Sequence, residues 1–239
     1  MALIERTARH SALPAPQRKR EMVQAMFDRI APRYDAMNRV ISMGLDRRWR
    51  ELALDAIALA PGDVVIDLAC GTGDLCEASL ARGARVVGVD FARQMLHGAR
   101  LRNHAVSLVQ GDGAALPFGT ASASVLTCGF ALRNFVSLPD VLAEMARVLT
   151  PGGRLAIVEV DRPTNALVRT GHSLYFDRIV PRLGAWFSDR DAYAYLPEST
   201  SYLPDTPEMR KALEQAGFTE VVKRRLLLGS AQILTAVRS

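Results

Sequence analysis

This chain of 239 residues is poor in cysteine, has no long apolar run and shows no internal repeat, and each absence excludes a class of protein. No stretch approaches the ~20 apolar residues needed to span a bilayer, so a membrane-embedded chain is not expected. The opening MALIERTARHSALPAPQRKR has no apolar centre of the kind a secretory leader carries. Cys70, Cys76 and Cys128 are odd in number and have no C-x-x-C spacing, which argues against a disulfide framework and against a zinc site. A cytoplasmic, reducing location is therefore expected. A net charge of +5 and a pI near 9.4 are mildly basic, short of the surplus that nucleic-acid binding calls for.

What is present is the material of a globular domain: 49% hydrophobic and 23% charged residues, enough for one large domain with elaborations. The stretch Asp63–Asp74, DVVIDLACGTGD, organises the rest. Its β-branched run reads as a buried strand, Gly71-Thr72-Gly73 as a tight turn, and Asp74–Leu80 as a helix. Such a turn presents backbone N–H groups at the carboxyl end of a parallel strand, where open α/β sheets bind nucleotide-like ligands. A dinucleotide fingerprint, G-x-G-x-x-G, is broken here by Cys76. The spelling instead approaches D-x-G-x-G-x-G, an acid followed by alternating glycines, used with S-adenosyl-L-methionine. Asp67, Ala69, Gly71 and Gly73 occupy those positions, with Ala69 a departure that adds little bulk. The competing reading of the glycines is a tight turn that needs positive φ and nothing more.

Strand and helix then alternate. Ala84–Asp90 is predicted as the second strand, and its terminal acid lies 17 residues beyond Gly73, close to the ~20 at which an acid grips ribose hydroxyls. Asp90 has a competing role as the cap of the helix starting near Phe91. A third strand, 105–110, ends in Gly111-Asp112-Gly113, where Asp112 suits an adenine amine and the Gly113 amide lies nearby. Ala123–Phe130 is a fourth strand, followed by Arg133-Asn134. Leu138–Leu149 is a helix stopped by Thr150-Pro151-Gly152-Gly153, and Arg154–Val160 is a fifth strand. This order predicts a doubly wound, mostly parallel sheet. Residues 1–20 are expected to be mobile and 21–60 to form amphipathic helices. Residues 61–161 should form the cofactor core, the aromatic-rich 162–204 a lid, and 205–239 a closing helix and hairpin. The basic Arg18-Lys19-Arg20 reads as a solvated helix end, with anionic headgroups as the alternative contact.

Taken together, these elements resemble a class I S-adenosylmethionine-dependent methyltransferase: α/β, Rossmann-like, with a seven-stranded mostly parallel sheet and an antiparallel last strand. A narrower resemblance runs from about residue 21 onward. Tyr34-Asp35-x-Met37-Asn38-x-x-Ile41-Ser42 with Trp49, and Arg147-Val-Leu-Thr-Pro-Gly-Gly153 running to Glu159, are similar to two signatures of the UbiE-type ubiquinone/menaquinone C-methyltransferases. Leu132-Arg133-Asn134, Pro181–Gly184 and Tyr195–Ser199 match further segments of that family. Asp46 stands where the first signature usually has histidine, Thr150 replaces lysine and Asp161 replaces serine. Asp46 is expected near the substrate entrance, which bears on substrate identity.

The resemblance implies methyl transfer to a ring carbon of a polyprenyl hydroquinol, with no metal required. It implies S-adenosylmethionine as cofactor, held by Asp67, Gly71, Thr72, Gly73, Asp90, Asp112, Gly113 and Gly129. Arg133 and Asn134 would sit at the edge of the methyl donor and organise a water that takes the phenolic proton; Tyr34 would contact the donor or the ring hydroxyl. The competing role for Arg133-Asn134 is a helix-start ion pair and cap. An isoprenoid tail implies an apolar groove and transient peripheral contact with the membrane; a homodimer is left open, as is the choice between naphthoquinol and benzoquinol. Alternatives are a tailoring methyltransferase for another phenol or lipid-like molecule, a nicotinamide-dependent oxidoreductase and a non-catalytic assembly subunit.

Overall fold

The apolar run after Pro61-Gly62 forms β1 (Val64–Leu68), an inner strand of a seven-stranded sheet in the computed structural model, which describes residues 16–161, 163 and 199–239. The other strands are β2 (Arg85–Asp90), β3 (Ser107–Gln110), β4 (Ala123–Gly129), β5 (Leu149–Val160), β6 (Phe218–Leu226) and β7 (Ala231–Arg238). Their order is β3-β2-β1-β4-β5-β7-β6. The first five strands pair in parallel, as the alternation of strand and helix predicts. β7 lies antiparallel between β5 and β6, so the closing hairpin supplies the antiparallel strand and β6 runs in the direction of β5.

Helices cover both faces, which is why β1 reads as apolar on both sides apart from Asp67. Ile66 and Leu68 face one core, shared with Leu142 and Met145 of α6 (Leu138–Val148) and Leu213 of α7 (Thr206–Gln215). Val65 faces the other, shared with Ala53 of α3 (Leu45–Ala56) and Cys76 of α4 (Asp74–Leu80). The start of α7 is set by a capping box: Asp205 Oδ1 accepts the Glu208 N–H at 2.9 Å and Glu208 Oε2 accepts the Asp205 N–H at 3.2 Å. A third cluster joins α1 (Pro16–Ile30) and α2 (Tyr34–Ile41) to Met95 of α5 (Arg93–Arg102) through Met26, Ile30 and Met37.

Two boundaries differ from expectation by more than two residues. α1 begins at Pro16, inside the segment expected to be mobile, because proline suits a first helical turn and Val23, Met26 and Ile30 bury one face. β5 begins at Leu149: Thr150–Gly153 does not end the pairing but kinks it, with a register shift opposite Ala123–Val125 and Gly152 at φ 76°. Most of the 162–204 insertion, with its Pro181–Gly184 segment and most of Tyr195–Ser199, lies outside the described residues. Among the described residues no helix is long and apolar enough to cross a membrane.

Candidate active site

The parallel strands end along one edge, and most of the candidate side chains gather there. β1 passes into Ala69 at φ 54°, Gly71 at φ 56° and Gly73 at φ 90°. Three left-handed residues within five positions turn the chain sharply enough for α4 to start at Asp74. A Cβ on Gly73 would stand 3.4 Å from Ala99 Cβ, where α5 packs against the turn. Ala69 therefore departs from glycine in conformation more than in bulk, since a left-handed alanine costs about 1 kcal/mol.

Asp67 lies beneath this turn, 1% exposed. Its carboxylate accepts the Thr127 hydroxyl at 2.7 Å and the Cys76 thiol at 3.2 Å, and burial raises its pKa to about 6. Asp90 ends β2 and receives the Gly71 and Ala92 N–H groups, each at 2.8 Å. Burial also raises Asp90 to about 6. The residue thus braces the glycine turn and the entry to α5, with acceptor lone pairs to spare. Asp112 Oδ1 takes the Ala114 N–H at 3.0 Å, and its Oδ2 pairs with Arg20 of α1 at 2.8 Å. Gly113 is hemmed in: a Cβ there would approach Phe135 Cε1 to 3.0 Å.

Beyond β4 the chain makes a single 3-10 turn, Leu132–Asn134. The Arg133 guanidinium is buried; it donates to the Phe130 carbonyl at 2.8 Å and to Glu159, which is fully buried on β5. The Asn134 amide also donates to the Phe130 carbonyl, at 3.5 Å, and its buried Oδ1 has no hydrogen-bond partner among the described residues. Tyr34 lies with its ring 3.7 Å from where a Gly71 Cβ would be. Burial raises its phenol above the ordinary value, so it stays protonated and is a donor.

A cavity of about 260 Å³ opens among these groups. Of the residues expected from sequence, Tyr34, Gly71, Asp90, Asp112, Gly113, Gly129 and Asn134 line it. Asp67 and Thr72 line a smaller hollow behind the turn, with Arg50 and Asp74; the Thr72 hydroxyl donates to Asp35 at 2.5 Å. Gly73 acts on the turn, and Arg133 faces Glu159 and not the cavity. Sequence reasoning missed Arg20, Phe27, Phe91, Met95 and Phe135, which also line it. The helical spacing of Val23, Met26 and Phe27 was the available signal for the α1 contribution.

Two expectations are corrected. Lys19 is no solvated helix end: it is buried and donates to the carbonyls of Phe135 (2.7 Å) and Arg133 (3.3 Å). Burial lowers its pKa. Asp46 does not face solvent at an entrance but lies inside: it is 3% exposed, accepts the Ser42 hydroxyl at 2.8 Å and pairs with Arg50 at 2.6 Å. Arg50 continues to Asp74 at 3.3 Å and lies 5.2 Å from the Phe130 ring centroid.

Known proteins share this fold, and some share the sequence from end to end. The chain is 19% identical to a SAM-dependent methyltransferase from Thermotoga maritima, with a TM-score of 0.62 over 90% of this chain and 99% of that one; at that identity the likeness speaks for the fold alone. It is 38% identical over 233 residues to the demethylmenaquinone methyltransferase of Roseiflexus sp. (strain RS-1), covering 95% of this chain and 98% of the relative. It is 39% identical over 220 residues to the ubiquinone/menaquinone biosynthesis C-methyltransferase UbiE of Syntrophotalea carbinolica, covering 90% and 93%. The sequence model of one family spans residues 16–238, nearly everything from α1 to the last strand, and the chain belongs to that family, the ubiE/COQ5 methyltransferases.

Proposed function

We propose that this chain transfers a methyl group from S-adenosylmethionine to a ring carbon of a polyprenyl hydroquinol, converting demethylmenaquinol to menaquinol. The reading is carried by one observation: Asp90, a buried carboxylate, and Asn134, a buried acceptor without a partner among the described residues, line the same cavity.

The cavity suits the cofactor on its own terms. Asp90 retains lone pairs for a ribose diol, and Asp112 with the Gly113 amide suits the edge of an adenine. Phe91, Met95 and Leu68 supply apolar walls for its faces. Gly71 and Gly73 leave the strand end bare beneath the amino-acid tail, with Asp67 and Thr72 behind them. When bound, S-adenosylmethionine supplies an electrophilic methyl on a positively charged sulfur, which needs alignment more than activation.

The remaining chemistry falls to the chain. Asn134 Oδ1 holds the water that receives the phenolic proton as the carbon attacks the methyl; the ring C–H proton then leaves to water as aromaticity returns. Tyr34, kept protonated by burial, donates to the developing oxyanion. The pairing of Arg133 with Glu159 fixes the turn that presents Asn134, which makes Arg133 a positioning residue. Lys19 braces the same turn from α1. Gly113 and Gly129 keep side chains out of the space.

A benzoquinol ring is the second reading, favoured by the 39% identity to a relative named for both ubiquinone and menaquinone biosynthesis. The deciding experiment follows labelled methyl from S-adenosylmethionine into reduced demethylmenaquinol and into a demethyl benzoquinol analogue. Label on naphthoquinol ring carbon is expected; cofactor binding without transfer to either ring would overturn the quinol reading.

A further inference from the structure

Two turns expose apolar side chains on backbone that side chains rarely adopt. Between β6 and β7, Leu227 and Leu228 are 43% and 78% exposed and stand at φ 43° and 54°. Between α2 and α3, Met43 is 65% exposed at φ 54°, with Val40 exposed beside it. Glycine would relieve each left-handed position, and none of these side chains joins a core of the described residues. Strain held at an exposed apolar tip points to something the tip contacts. Arginines surround both: Arg224 and Arg225 at the first, Arg39, Arg47 and Arg48 at the second, all exposed. The acid beside the first turn, Asp161, is taken up by Lys223 at 2.9 Å and lies 3.8 Å from Arg225.

Both turns lie on the edge that holds the cavity. β6 runs parallel to β5, so Leu226 ends it at the carboxyl edge, where the Asp161 N–H donates to the Ser230 carbonyl at 2.9 Å. α3 begins at the same edge: Trp49 and Arg50 lie against Phe130 at the end of β4. Its far end is held at the opposite edge, where Arg154 donates to the Ile57 carbonyl at 2.7 Å.

We propose that these two turns form a docking surface for an anionic lipid bilayer. Guanidinium groups meet anionic headgroups while the apolar tips enter at headgroup depth, which needs no preformed pocket. A second protein copy would need pockets matched to two separate protrusions and acids to meet the arginines. The inference deepens the quinol reading, because it brings the cavity edge to where a polyprenyl tail resides, but its test needs no quinol.

The test is co-sedimentation of the full chain with phosphatidylcholine vesicles, with and without phosphatidylglycerol. Wild type should bind the anionic vesicles and be released by salt. Leu228→Gly and Met43→Gly should each weaken binding about tenfold, without lowering the melting temperature or the S-adenosylmethionine affinity, because glycine suits both backbones. Leu101 is 65% exposed near the end of α5, outside both turns, and Leu101→Ala should leave binding unchanged. Undiminished binding of both glycine variants, or equal loss in Leu101→Ala, would overturn the proposal. So would a dimer, dispersed by the glycine variants, in a protein that ignores vesicles. Vesicle binding without quinol methylation would leave this surface standing and defeat the substrate reading instead.

Discussion

The Lys19 ammonium donates to the Phe135 carbonyl at 2.7 Å, joining residues 116 apart in sequence across the rim of the cavity. It also stands 4.1 Å from the centroid of the Tyr202 ring. One buried cation thus fastens α1, the turn after β4 and the end of the 162–204 insertion. Lys19→Met keeps most of the volume and removes the donor, leaving two carbonyls short of a partner. A loss of about 1–3 kcal/mol in urea unfolding is expected, with S-adenosylmethionine binding weakened several-fold in calorimetry. Unchanged affinity would detach α1 from the cofactor site.

Asp67 and Asp90 are both raised by burial to about 6, against about 3.9 in an unfolded chain. Below the unfolded value both states are protonated and neither carboxyl penalises the fold. Between about pH 4 and 6 the unfolded chain gives up protons that the folded chain keeps, so stability falls as pH rises. Above about 6 each group carries its full penalty, on the order of 2–3 kcal/mol in the empty site. If Asp90 holds the ribose as proposed, the ribose hydroxyls donate best to the ionised carboxylate, so cofactor affinity should move the other way and tighten about tenfold from pH 5 to 7. Titration calorimetry across that range checks it. Asp90→Asn should flatten the profile and bind more weakly at pH 7.

Arg133 and Glu159 form an ion pair that solvent barely reaches, with Arg133 Nε and Glu159 Oε2 lacking hydrogen-bond partners among the described residues. Removing one charge strands the other, so Arg133→Met or Glu159→Gln alone should destabilise by about 3–5 kcal/mol. The double variant should recover most of that loss. If Arg133 acts by holding the Asn134 turn, the double variant should fold and bind cofactor yet keep a reduced kcat with little change in KM. A double variant with wild-type kcat would leave the pair a role in stability alone.

Much of this architecture is legible locally. β1, the glycine turn, Asp90 at a strand end and the α6 stripe follow from runs, spacings and breakers that lie within a few residues of each other. The destinations of long side chains are not local. Arg133 and Glu159 both stand within sequence signatures, but nothing in those signatures says that one faces the other. Lys19 looks like any basic helix residue until the fold closes a pocket over it. Gly88 is a third case: a Cβ there would come within 2.8 Å of Cys70 Sγ and 2.9 Å of Cys76 Sγ. A lone glycine inside a strand hints at such a close approach, without saying to what. Ala69 shows the same limit in the backbone, since spelling reports size and the fold demands a φ.

Asp46 offers the sharpest separation of structure from specificity. It touches the cavity only through intermediaries: its carboxylate holds Arg50, and Arg50 lies over Phe130, which lines the wall. Asp46→Asn keeps the shape and the Ser42 contact while removing the charge. Arg50 retains Asp74 at 3.3 Å, so the loss should stay below the usual cost of a broken buried pair, at about 2 kcal/mol. Asp46→His, which installs the residue usual at this place in the family signature, asks a larger ring to fit a buried site and should lower the melting temperature further. In both variants the ratio of kcat/KM for naphthoquinol over benzoquinol should hold within about twofold, because no atom facing the substrate has changed. A tenfold shift in that ratio corresponds to about 1.4 kcal/mol of differential binding, more than a relay through Arg50 and one ring face should transmit. Such a shift would restore Asp46 to the choice of substrate.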